Sequence, residues 1–420
     1  MKVKAAFLAL GIWVFSITTT ASSLDPQVND ATSPNSISAI SELRAMGPVG
    51  LDALFVKYAA EIERFRSTGV ADEKWADIAK AIDAVAMQKD AYASHLYWYT
   101  DLEEAKKAAH AKNRPILTLR LLGDLNEEFS CANSRLFRAV LYPNAEVSQF
   151  LRDNYILHWK SVRPAPRITI DFGDGRKIER TVTGNSIHYV LDQDGGVIDA
   201  LPGLYSPKAF LKYLKQAKQA DQIVRKLPKE RRELALMKYR KMSFDEIKLK
   251  REKAIAATGV ELKETRVGTS AILAAPIAAA KMVVVDEASV LRVYDDFAKF
   301  EPVIGFDDWS KLAKLFSPSQ KLDANSIAFI RRQNRNTGLT EDEFAGMLTK
   351  LDRFISLDTT RNEFIYHAKL YEWLNGGRVG LEIFNARVYD QIFRTPNSDK
   401  WLGLYSTDVY TALDGNGLTK

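Results

Sequence analysis

Pro115-Ile116-Leu117-Thr118-Leu119-Arg120-Leu121-Leu122, followed after the loop Gly123 to Ser130 by Cys131-Ala132-Asn133-Ser134-Arg135-Leu136-Phe137-Arg138, is the stretch on which the fold turns. Its first half is a short, nearly continuous apolar run between a proline and a glycine, the pattern of a strand buried on both faces. Its second half opens on small and polar residues and continues with spaced apolar ones, the pattern of a helix start. Cys131, the only cysteine of the chain, stands at that start.

Moving outward, Leu102 to Lys112 is rich in Ala, Lys and Glu and reads as a helix. Ser134 to Leu141 and Val147 to Asn154 carry helical patterns, and Tyr155-Ile156-Leu157-His158-Trp159 reads as a second strand. Two hairpins follow: Arg167 to Phe172 and Arg176 to Val182 flank Asp174-Gly175, while Ile187 to Leu191 and Val197 to Ala200 flank Asp194-Gly195. Asp-Gly between strand patterns is a strong turn signal. A helix from Pro207 to Ala217 closes the unit, and the order predicts an α/β domain over residues 93–220, a mixed sheet covered by helices.

The flanks read as helical. Within 37–92, one helix stops at Gly47-Pro48, and Leu51, Leu54, Phe55 and Tyr58, then Ile78, Ile82, Val85 and Ala86, repeat at helical spacing. Residues 221–420 are predicted to be mainly α-helical, with patterns at 323–335, 340–356 and 361–374 and a cap at Asp358 or Thr359 before the last. Residues 24–36, rich in Pro, Ser, Asn and Asp, read as a flexible tether. Before them, Lys2 and Lys4, the mostly apolar run Ala5 to Ile17 and the small polar residues up to Ser23 form the pattern of a secretory signal peptide over 1–23. The expectation is a periplasmic or secreted protein whose mature form has no transmembrane span; the apolar run 271–280, broken by Pro276, is too short for one.

At 420 residues the chain is long for one domain, and 46% hydrophobic with 27% charged residues suits ordinary globular cores. The formal charge falls from +6 to +4 when Lys2 and Lys4 leave with the signal. Residues 225–253 hold 12 Lys or Arg against 5 Asp or Glu, interleaved with Leu234, Leu236, Met237, Phe244, Ile247 and Leu249, and predict an amphipathic helix with a solvated basic face. A membrane surface or acidic partner is the functional alternative for that face, and export argues against nucleic acid. One cysteine allows no internal disulfide, so stability must come from packing.

No cofactor is expected, because the chain has neither a Gly-rich phosphate loop nor a Gly-x-Ser-x-Gly elbow. No metal is expected either: His95, His110, His158, His188 and His367 are scattered, although His158 and His188 on neighbouring strand patterns could approach one another. Asp171 to Gly175 lacks calcium-loop spacing and reads as a turn, as do Asp192 and Asp194.

The opening Trp98-Tyr99-Thr100-Asp101-Leu102-Glu103-Glu104-Ala105, then Asn113-Arg114-Pro115-Ile116-Leu117, then Cys131-Ala132-Asn133-Ser134 at a helix start, resembles exported bacterial members of the thioredoxin-like superfamily over roughly 94–217. The flanks resemble segments of other bacterial proteins and imply no activity. Where the family has Cys-x-x-Cys this chain has Ser134 for the second cysteine; the loop Gly123 to Ser130 is longer; and the position of the family's cis-proline falls near Ser186, in Gly184-Asn185-Ser186-Ile187. The resemblance implies a thioredoxin-like central domain in which Asn185 and Ser186 face the cysteine and contact substrate.

A helix N-terminus favours a thiolate, which makes Cys131 a candidate nucleophile. Ser134 is the expected hydrogen-bond donor to it, Arg135 and Arg138 supply positive charge nearby, and Glu127 and Glu128 oppose them. A lone thiol can exchange with an exported protein or a low-molecular-weight thiol, but needs an external thiol for release. The same residues also fit an inert, buried cysteine in a degenerate fold that serves as a binding or assembly platform for an envelope partner.

Overall fold

The computed structural model describes residues 25–33, 36–181, 184–260, 306–316, 321–377 and 379–393, with isolated positions between 395 and 412. The readings for 1–23 and 271–280 lie outside the described residues. The chain forms two compact units, Met1–Ala86 and Met87–Lys420.

The first unit is helical: α1 (Asp25–Ala31), α2 (Ile37–Ala45), α3 (Pro48–Lys57), α4 (Ala59–Thr68) and α5 (Trp75–Ala86). The expected stop at Gly47-Pro48 is present, with Gly47 at φ 68° and Pro48 opening α3. Gly50 lets α3 cross α2 closely, since a Cβ there would lie 2.0 Å from the Leu43 carbonyl oxygen. Part of the expected tether is ordered instead: Val28 and Ala31, one turn apart on α1, are buried, and Thr32 Oγ1 lies 3.1 Å from the Tyr58 hydroxyl.

The second unit is built on a five-stranded mixed sheet. Its elements run β1 (Trp98–Tyr99), α6 (Leu102–Lys112), β2 (Ile116–Leu122), α7 (Ala132–Leu136), α8 (Ala145–Asn154), β3 (Ile156–Arg163), β4 (Arg167–Asp171), β5 (Lys177–Thr181), β6 (Ile187–Leu191), β7 (Val197–Pro202) and α9 (Pro207–Val224). The order across the sheet is β1-β3-β2-β6-β7; β1, β3 and β2 are parallel, and β6 and β7 are antiparallel to their neighbours. Every residue of β2 is buried, as its apolar run requires. Asp101, Asn144 and Ser206 cap α6, α8 and α9 by accepting from backbone N–H groups one turn on. The hairpin β4–β5 forms a small sheet of its own, pairing Ile170 with Ile178.

Helices complete this unit: α10 (Lys229–Thr258), α11 (Phe306–Lys314), α12 (Ala324–Gln333), α13 (Glu341–Arg361), α14 (Ala368–Asn375) and α15 (Leu381–Arg387). Three π-helical turns continue α7, α13 and α15 over Phe137–Leu141, Asn362–His367 and Val388–Ile392. The expected break and cap at Asp358 or Thr359 does not occur. The Thr359 hydroxyl donates to Ile355 O and accepts from the Ser206 N–H, so it holds α9 rather than starting a helix. The amphipathic reading of 225–253 also needs correction. Leu236 and Ile247 are buried, but Leu234, Met237 and Leu249 are exposed, and Arg240 takes an inward position. That arginine satisfies the open edge of the sheet, a tertiary role that charge patterning does not reveal. No described helix is long and apolar enough to cross a membrane.

Candidate functional site

Cys131 is the N-cap of α7 and is fully buried. Its backbone N–H donates to Leu122 O at 3.0 Å and the Gly123 N–H donates to Arg163 O at 2.8 Å, so the long loop folds back onto the end of β2. Gly123, at φ 70°, makes the return possible, since a Cβ there would come within 3.1 Å of Ser130 Cα.

The thiol sits among polar groups. Its Sγ lies 2.8 Å from Ser186 Oγ, 3.4 Å from Ser134 Oγ and 3.8 Å from Asn185 O. Ser130, Ser134, Asn185 and Ser186 are all buried. The positions expected to face the cysteine, Asn185 and Ser186, therefore do so, and no cis peptide occurs among the described residues.

Two expected roles change on inspection. Ser134 Oγ lies 2.8 Å from both Ser130 Oγ and Cys131 O, where it donates, so towards the thiol it is an acceptor. Ser186 is the nearer hydroxyl. Arg135 donates to Thr181 Oγ1 at 2.9 Å, towards β5, whereas Arg138 reaches Ser130 Oγ at 3.5 Å. The hairpin is tied to the same corner: Thr181 Oγ1 donates to Ser130 O, and the Arg167 guanidinium lies 4.7 Å over the Phe129 ring.

The site is closed by chain that sequence reasoning left out. The Tyr389 hydroxyl donates to Asn185 O at 3.1 Å, and Asn185 Nδ2 donates to Thr395 Oγ1 at 2.9 Å. No local motif marks Tyr389 or Thr395, because their significance lies in contacts more than two hundred residues away in the chain.

His158 and His188 do not meet. His158 pairs with Thr118 and His188 with Leu119, adjacent residues of β2, so the two imidazoles point to opposite faces of the sheet. Burial, helped by the Arg120 charge, lowers the pKa of His158 to about 3, and burial alone lowers that of His188 to about 3. Arg120 donates to Thr118 Oγ1, whose hydroxyl lies 2.7 Å from His158 Nδ1; the Tyr142 hydroxyl lies 2.9 Å from His188 Nε2.

A second polar cluster forms around Asp199 on β7, which accepts from His367 Nε2 at 2.9 Å, Tyr239 at 2.6 Å, Tyr371 at 3.0 Å and the Ala200 N–H at 2.7 Å. Burial raises its pKa, but the His367 charge and these donors outweigh that and hold it below the usual value. The cluster joins the sheet to α10 and α14. Elsewhere, Asp192, Asp194, Asp221 and Arg232 line a shallow depression apart from Cys131. Burial raises the Asp221 pKa to about 6 against its ion pair with Arg225. Among the described residues no three His, Cys, Asp or Glu side chains converge as metal ligands. Comparison with protein-family models, curated proteins and solved structures finds no match to the chain.

Proposed function

We propose that this is an exported thioredoxin-like protein that exchanges disulfides through the single thiol of Cys131. The strand order, with a parallel half and an antiparallel half and the cysteine at a helix start beside β2, supports the likeness. The observation that carries the reaction is the polar lining of the thiol. A cysteine kept only to fill a core packs against apolar groups, whereas two serine hydroxyls and a backbone carbonyl lie against this one, with Ser130 bonded to one of those serines, Ser134. In the reaction the Cys131 thiolate attacks a partner disulfide; a bond forms from Sγ to one partner sulfur, and the other sulfur leaves as a thiolate. Ser186, within hydrogen-bond reach of Sγ, stabilises the thiolate. A second, external thiol then attacks the mixed disulfide and restores Cys131, because the chain has no other cysteine.

The complete burial of Sγ favours a second reading, a thioredoxin-like platform without chemistry. Cys131→Ser separates the two. Exchange with glutathione disulfide, followed as a mixed disulfide by mass spectrometry of the intact protein, is expected in the parent and absent in the variant. If the folded parent forms no mixed disulfide over hours, the platform reading replaces the first. Ser186→Ala is expected to slow exchange about tenfold at neutral pH, from removal of one hydrogen bond to a charged group.

A further inference from the structure

We propose that the π-helical turn Val388–Ile392 together with Thr395 is a latch over Cys131, and that the thiol reacts only when this latch releases. The inference rests on the exchange reading for its biological meaning, but not for its test.

The latch meets the thiol through one residue. Asn185 O is the oxygen that accepts from Tyr389, and it lies 3.8 Å from Sγ; Asn185 Nδ2 holds Thr395. Arg163 Nη2 adds a bond to Thr395 O at 2.8 Å. Further back, α15 is pinned to the sheet by Arg120 to Glu382 at 3.1 Å and Tyr189 to Asn385 at 3.1 Å. In the proposed open state α15 keeps these anchors while Val388–Ile392 and Thr395 lift. π turns occur mostly as single-turn insertions within α-helices, frequently at functional sites, and this one is closed by the Phe393 N–H donating to Val388 O at 3.0 Å. Val388, Tyr389, Ile392 and Phe393 are buried, which keeps the closed state dominant and leaves the open state a minor one.

The test is the reaction of the full chain with dithiodipyridine, at fixed pH, over a series of urea concentrations below the unfolding transition. The Cys131 thiolate takes one half of the reagent, the reagent's S–S bond breaks and pyridine thione leaves, so one chromophore reports one thiol. A latch predicts a slow rate, well under that of the unfolded chain, with a urea slope much smaller than that of global unfolding, because local opening exposes little surface. Tyr389→Phe and Thr395→Val are each expected to raise that rate about five- to tenfold without changing the slope, as loss of one neutral hydrogen bond in the closed state requires. The proposal is overturned if labelling follows the global unfolding slope in parent and variants, or if the parent already reacts as fast as the unfolded chain. Since the reagent needs no physiological partner, a gated thiol that fails with glutathione disulfide would sink the exchange reading and leave the latch standing.

Discussion

Arg240→Ala is expected to lower the unfolding free energy by about 3 kcal/mol, the cost of leaving several buried carbonyl oxygens without donors. In the folded chain the Arg240 guanidinium, 3% exposed, donates to Val197 O at 2.6 Å, Ile198 O at 3.3 Å and Leu374 O at 3.0 Å. The first two belong to β7, the edge of the five-stranded sheet, and the third closes the last turn of α14. A sheet edge and a helix end both carry unpaired backbone groups, and here one side chain serves both. Burial lowers the Arg240 pKa, and Glu233 and Asp199 partly restore it. An alanine leaves the oxygens dry and opens a cavity the size of the guanidinium. Arg240→Lys keeps the charge but cannot span three acceptors in one plane, and is expected to recover only part of the loss. Urea denaturation followed by circular dichroism reads both values. As a reference, Arg176→Ala on the exposed hairpin should stay within about 0.5 kcal/mol of the parent. A loss for Arg240→Ala no larger than that reference would mean that water replaces the guanidinium at the sheet edge.

Arg240 also shows where sequence reading stops. Most of the sheet was legible because its strands announce themselves locally, β2 by its apolar run, β4–β5 and β6–β7 by Asp-Gly turns between strand patterns; the two-residue edge strand β1 carries no such signal. Cys131 at a helix start and Asn185-Ser186 opposite it were legible through the family resemblance, and the short distances agree with that placement. What could not be read is tertiary. Arg240 looks like any other cation in a basic helix until the sheet edge is placed beside it. Asp199, Tyr239 and the pair His367 and Tyr371 come from three separate places in the chain, and only the last two share a helical spacing. Tyr389 and Thr395 acquire meaning only once Asn185 is found beneath them. Periodicity reports which face of an element is apolar, and says nothing of which polar side chain will be carried inward to satisfy a distant backbone group.

Acidification from pH 7.5 to 5 is expected to destabilise the second unit by about 2–3 kcal/mol, with His158 and His188 as the main cause. Both imidazoles are buried with folded pKa values of about 3, against 6.5 for the free side chain. Between those limits the unfolded chain binds a proton at each histidine that the folded chain does not. Their contribution is therefore fully present above pH 6.5 and is lost progressively as the pH falls towards 3, by up to about 1.4 kcal/mol per pH unit for each residue. Protonation is poorly accommodated at either position. Arg120 already places a positive charge beside His158, and His188 Nδ1 finds no hydrogen-bond partner among the described residues. Asp221 works the other way: with its folded pKa raised to about 6, it binds a proton more readily when folded and offsets part of the loss between pH 6 and 4. Asp199, held below the usual carboxylate value, keeps its charge through the window and surrenders its contribution only at lower pH. The clean measurement is the slope of unfolding free energy against pH between 5 and 6.5 in the parent, His158→Gln and His188→Gln. Each substitution should flatten that slope by about one proton's worth even though it lowers stability at neutral pH. An unchanged slope in His188→Gln would show that this imidazole is protonated inside the fold, and would require a charge-accepting neighbour that Tyr142 alone does not provide.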